Sequence, residues 1–134
     1  MKKIKQAFNC SLDILPSFRD FFEGFLNESG LEEELCQKII IGLNELVSNI
    51  IIHANHSDSQ RSFSISAEID NSCVLMIELL HNGDSFKPQP ASLPAIEDLP
   101  EGGFGLFIIE AIFDRVEYLQ MAPGDNLIRL TKKI

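Results

Sequence analysis

The stretch Ile39–Ile52, which reads IIIGLNELVSNIII, decides the architecture. On a helix turning about 100° per residue, Leu43, Leu46, Val47, Ile50 and Ile51, with Ile39 and Ile40, share one side, while Asn44, Glu45, Ser48 and Asn49 form a polar stripe on the other. Ile41 and Ile52 project from that polar side and no lysine does, so the stripe is not simply bathed in water. Glu45 and Asn49 lie four residues apart and point the same way, one turn from each other. A carboxylate and a carboxamide so placed can hold a divalent cation, directly or through water, and position a base. Taken alone, such a pair is more often an ordinary polar stripe.

Working outward, this helix is expected to run from about Leu31 to Ala54, with Glu32, Glu33 and Glu34 near its positive end. Before it, Phe18, Phe21, Phe22 and Phe25 cluster on one side of a helix from about Leu15 to Asn27. Pro16 sits in its first turn and Ser29-Gly30 ends it. A short strand, about Ile4 to Leu12, precedes that helix. After the central helix, Phe63 to Ile69 alternates strictly and Val74 to Leu80 is mainly apolar, the two joined as a hairpin by Asp70-Asn71-Ser72. From His81 to Pro100 the chain is turn-rich and holds four of the six prolines, so it reads as a long loop or lid. Gly102-Gly103-Phe104-Gly105 opens a helix over about Leu106 to Phe113. Strands near Val116 to Met121 and Leu127 to Leu130 follow. The order β, α, α, β, β, loop, α, β, β predicts an α+β fold: a two-layer sandwich with helices on one face of a mostly antiparallel sheet.

The 134 residues fit one domain. With 45% hydrophobic and 23% charged residues, the bulk of the chain is not disordered. A net charge of -9 argues against sequence-independent binding to nucleic acid or anionic lipid and favours a basic partner surface. No apolar run approaches the roughly 18 to 20 residues of a membrane span. The basic start, Met1 to Lys5, is followed by Gln6, Asn9 and Ser11 rather than an apolar stretch, which predicts a cytoplasmic protein. Cys10, Cys36 and Cys73 form no C-x-x-C pair and are expected to be small core residues. Clustered glycine amides at Gly102–Gly105 can receive phosphate oxygens, although a flexible hinge explains them as well.

In this order and spacing, Glu45-Leu46-Val47-Ser48-Asn49-Ile50-Ile51-Ile52-His53 resembles the N box of the GHKL superfamily of ATPases and kinases. That superfamily includes the ATP-binding domains of topoisomerases, heat-shock chaperones and sensor histidine kinases. Together with Gly103-x-Gly105-Leu106, the short form found here is most similar to the anti-sigma-factor serine/threonine kinases of bacterial partner switching. The resemblance covers nearly the whole chain. It implies a Bergerat-type ATP-binding fold, one domain over 1–134 and a lid at about 84–102.

Carried over by residue, the resemblance implies that Glu45 is the general base and Asn49 the ligand of a magnesium ion bridging the nucleotide phosphates. It places Gly83 beneath the adenine. Gly103 and Gly105, with Leu106 beside them, stand at the lid end where backbone amides meet phosphates. Arg19 corresponds loosely to a partner-contacting arginine. Two positions depart from the family: His81 stands where an aspartate reads adenine, and Ser85 replaces the second glycine of the D-x-G-x-G box. A neutral histidine can accept from the adenine amino group through only one ring nitrogen in one tautomer, although Asp84 lies close by in sequence.

The implied function is that of an ATP- and magnesium-dependent serine/threonine kinase. It would sequester a sigma factor or analogous regulator and phosphorylate a small antagonist domain, with no direct contact to nucleic acid or membrane. Family members often form a homodimer through the sheet face. The alternative is a non-catalytic or degenerate nucleotide-binding module acting by sequestration alone, to which His81 and Ser85 lend support. A plain ATPase or a detached histidine-kinase catalytic domain fits less well.

Overall fold

A computed structural model describes residues 2–84 and 104–134. Strand β1, Lys2–Asn9, leads through a 3-10 turn at Leu12–Ile14 into helices α1, Leu15–Glu28, and α2, Glu33–Asn49. A π turn, Ile50–Ala54, extends α2. Strands β2, Ser62–Ile69, and β3, Val74–His81, follow, then helix α3, Phe104–Ile112, and strands β4, Arg115–Ala122, and β5, Asp125–Lys133. The five strands form one sheet in the order β1-β2-β3-β5-β4, antiparallel throughout. The expected α+β sandwich is therefore present.

Period-2 alternation aims Phe63, Ile65 and Ala67 of β2 and Leu75, Ile77 and Leu79 of β3 at the helices. Ile128 and Leu130 of β5 extend this apolar face. Against it lie Phe18, Phe22 and Leu26 of α1 and Ile39, Leu43, Leu46, Val47 and Ile50 of α2, all buried. Phe8 ties strand to helix, its ring edge-on to Phe18 at 5.8 Å and stacked on Phe63 at 5.7 Å. The opposite sheet face is polar and carries cross-strand ion pairs, Lys3 with Glu68 and Arg129 with Glu78. By length and composition Glu33–Ala54 could cross a membrane, but Ile39, Leu43, Leu46, Val47, Ile50 and Ile51 pack within this core, while Ile41 and Ile52 are exposed.

The structure corrects four sequence expectations. First, β1 stops at Asn9 rather than Leu12, because Cys10 N–H turns to the Arg61 carbonyl at 2.9 Å and Ser11 bonds to the Asp13 carboxylate. Second, the central helix is α only to Asn49. Asn55 N–H then donates to Ile50 O at 3.0 Å, five residues back, and His56 and Ser57 take left-handed φ values of 54° and 55° that end it. Third, His81 is the last residue of β3 rather than the first of a loop, paired with Phe63 and Asn126. Fourth, Cys73 is exposed at φ 59° in the β2–β3 turn, where the Asp70 carboxylate accepts from the Ser72 and Val74 amides. Cys10 and Cys36 are buried as expected.

Candidate functional site

Alpha helices approach closely only where side chains are small, and two glycines set the packing of α2 on α3. A Cβ on Gly42 would stand 2.5 Å from Ile109 Cδ1, and one on Gly105 would stand 2.5 Å from Glu45 Cβ and 3.1 Å from the Ile41 carbonyl oxygen. The first turn of α3 therefore lies directly on the stem of Glu45. Burial pushes the Glu45 carboxyl above its ordinary value, with the charge of His53 pulling it partly back. Asn49 stands one turn further along, half-buried.

Beside Glu45 a groove of about 260 Å³ is lined by Arg19, Ile40, Ile41, Asn44 and Gly105. The Arg19 guanidinium crosses from α1 to donate to Asn44 Oδ1 at 2.8 Å, next to the candidate base. A larger hollow, about 380 Å³, lies on the other side of the sheet between Lys3, Lys5, Glu68 and Glu78, and none of the site residues expected from sequence reaches it. Among the described residues no group of three His, Cys, Asp or Glu side chains could hold a metal. Any cation here would depend on Asn49 and on oxygens brought by a ligand, which suits magnesium, an ion that keeps waters and substrate phosphates in its shell.

The second part of the site is where the π turn meets the end of β3. Gly83 is buried, and a Cβ there would lie 2.4 Å from the Ala54 carbonyl oxygen and 2.7 Å from Asn55 Oδ1. The Asp84 amide donates to Ala54 O at 2.8 Å, and Asn126 Nδ2 donates to Gly83 O at 2.8 Å. The Asp84 carboxylate turns outward to His56 Nε2 at 2.7 Å. It is thus exposed and paired with His56. Leu106 is buried in the core, where it anchors α3. Gly103, Ser85 and all of the expected lid after Asp84 lie outside the described residues. Gly42, Asn55 and Asn126 were not expected from sequence. A glycine facing α3 from the polar side of α2 was the one available signal, whereas Asn55 read as part of a polar stretch and Asn126 as part of a turn.

His81 is 3% exposed, and burial pulls its imidazole below the ordinary value of 6.5. The folded state thus binds protons less readily than the unfolded chain. Its contribution to stability is full above pH 6.5 and is lost as pH falls from there through the lowered native value. Thermal melts from pH 7.5 to 5 are expected to show a decline that flattens in His81→Asn; an unchanged slope would contradict a buried neutral imidazole.

A family model, the histidine kinase-like ATPase domain, matches residues 8–132. Serine-protein kinase RsbW of Oceanobacillus iheyensis is 29% identical over 103 residues, 70% of this chain and 64% of that protein. The protein of the same name from Bacillus thuringiensis is 24% identical over 127 residues, 88% of this chain and 78% of its own length. Among solved structures, the RsbU and RsbW domains of a Mycobacterium tuberculosis protein superpose with a TM-score of 0.71 at 15% identity, covering 99% of this chain and 32% of that one. The chain thus spans about two thirds of the first of these relatives and a third of the solved structure.

Proposed function

The chain belongs to the histidine kinase-like ATPase family, and from that premise we propose that it binds ATP with magnesium and transfers phosphate to serine or threonine of a small antagonist protein. The observation that carries this reading is the seating of Gly105 on Glu45, with Asn49 one turn away on the same helix. That contact holds the start of α3 against the helix that carries Glu45 and Asn49, and the backbone amides at a helix start suit phosphate oxygens.

Glu45 has the role of general base. Its partial burial raises its basicity, so it takes the proton of an acceptor hydroxyl more readily than an exposed carboxylate would. Asn49 offers a neutral oxygen, which with ligand phosphates would hold magnesium. When bound, that ion offsets negative charge on the phosphates. Arg19, fixed by Asn44, supplies a cation at the rim of the groove where an acceptor segment would enter. Partner switching completes the proposal: the protein sequesters a sigma factor or analogous regulator in the cytoplasm and releases it when the antagonist intervenes. The name of the RsbW relatives, serine-protein kinase, supports the phosphate-transfer part of this reading. Homodimerisation through the open sheet face belongs to the same proposal.

The test is transfer of label from γ-labelled ATP to a small antagonist domain from the same organism. Magnesium-dependent labelling on serine or threonine is expected. Nucleotide binding without transfer to any such domain would contradict the kinase reading.

A further inference from the structure

A second hollow, about 240 Å³, opens between α1 and α2 and meets the groove beside Glu45, because Ile40 and Ile41 wall both. Arg19 of α1 stands opposite Asn44 of α2, so Glu23 and Asn27 follow it at four-residue steps along one wall of the hollow. Gln37 and Glu33 continue the facing wall on α2, back from Ile41 at the same step. From Glu33 to Glu45 the helix rises about 18 Å. One track therefore leads from the candidate base to two carboxylates, Glu23 and Glu33. Both are exposed, and among the described residues neither takes part in an ion pair. Lys38, the one cation on α2, is bound to Glu34 instead. Burial pushes the Cys36 thiol up, and the charges of Glu23 and Glu33 add to that push, so the two carboxylates converge on one place.

We propose that this end of the track docks a lysine or arginine side chain of the acceptor protein, its cation between Glu23 and Glu33 and its aliphatic stem on Ile40 and Ile41. The inference rests on the phosphate-transfer function proposed above and adds a recognition element to it. The lining selects the occupant. Two carboxylates repel nucleotides and other anions, and among the described residues no group of three His, Cys, Asp or Glu side chains could hold a metal. Carboxylates beside an apolar floor fit a long side chain that buries its stem and keeps its charge at the rim. Continuity with the groove at Glu45 makes the acceptor protein the partner, since a residue anchored here sets the distance at which a hydroxyl meets the base. In an extended segment that distance corresponds to about five or six residues between the basic residue and the acceptor serine or threonine.

The test is calorimetric titration of the full chain with the small antagonist domain of the same organism, beside steady-state transfer of phosphate to that domain. The double variant Glu23→Lys, Glu33→Lys is expected to weaken binding and raise the KM for the domain by about tenfold or more, with kcat and ADP affinity unchanged. Glutamate in place of one lysine or arginine on the domain should restore binding to the double variant while weakening binding to the wild type. Both glutamates are exposed, so the variant should melt close to the wild type. Binding indifferent to the double variant, or a loss that no such reversal on the domain repairs, would overturn the inference and leave the kinase reading standing. Binding that needs both glutamates but leads to no phosphate transfer would contradict the kinase reading and support the docking site. Self-association of the wild type that the double variant abolishes, with binding of the domain unchanged, would seat a second copy here and overturn the inference. A wild type that binds no antagonist domain would overturn both.

Discussion

Glu45→Gln is expected to lower phosphate transfer by about 10²- to 10⁴-fold, the usual contribution of a positioned base, while leaving ADP affinity nearly unchanged. Glutamine keeps the shape that Gly105 packs against and removes only the proton acceptor. The wild-type rate should also fall as pH drops through the Glu45 value, and because burial raises that value, the acid limb should lie above the 4.5 of an ordinary carboxyl. Stability should move in the opposite sense. A carboxyl raised in the fold contributes its stability at low pH and loses it as pH rises through the native value, so at neutral pH the ionised form is the strained one. Glu45→Gln should therefore melt no lower than wild type at pH 7. Single-turnover transfer beside a thermal melt checks both; a variant that transfers phosphate normally would remove Glu45 from the mechanism.

The second large effect is expected at Gly83. A methyl group there would sit 2.4 Å from the Ala54 carbonyl oxygen and 2.7 Å from its carbon, both backbone atoms. That carbonyl cannot step aside freely, because it is the acceptor of the Asp84 amide. Relief must separate the end of β3 from the π turn and strain the Asn126 bond to Gly83 as well. Overpacking with two hydrogen bonds weakened should cost about 2–4 kcal/mol, a fall in melting temperature on the order of 10 °C. Gly24 on α1 is the control. A Cβ there meets nothing within 4 Å, so Gly24→Ala should stabilise the helix by up to about 1 kcal/mol. Equal melting of the Gly83 and Gly24 variants would refute the tight seating.

Much of this fold is legible locally. The strict alternation of Phe63–Ile69 announces β2, and the 3.6-residue spacing of Leu43, Leu46, Val47 and Ile50 announces the buried face of α2. Glu45 and Asn49 are legible for the same reason, since helical spacing fixes their common direction. What escapes a local reading depends on partners distant in sequence. His81 becomes a strand residue because Phe63 and Asn126 pair with it from either side, and no pattern within His81–Pro100 reports that. The π turn arises from a one-residue change of backbone partner at Ile50, which side-chain periodicity does not encode. Asn55 and Asn126 join one cluster only after the sheet forms. Cys73 looks like a core residue by type, yet Asp70 captures the turn that exposes it.

The most direct test of nucleotide binding at this site is the melting temperature of the wild-type chain with millimolar ADP, in magnesium and in its absence, against Asn49→Ala. A ligand that binds only the folded state at about 100 times its Kd adds about 2.7 kcal/mol. A rise of several degrees is expected with magnesium-ADP, with most of it lost when magnesium is withheld or Asn49 is replaced. No rise at all, or one indifferent to both magnesium and Asn49, would contradict a magnesium-nucleotide site at Glu45 and Asn49.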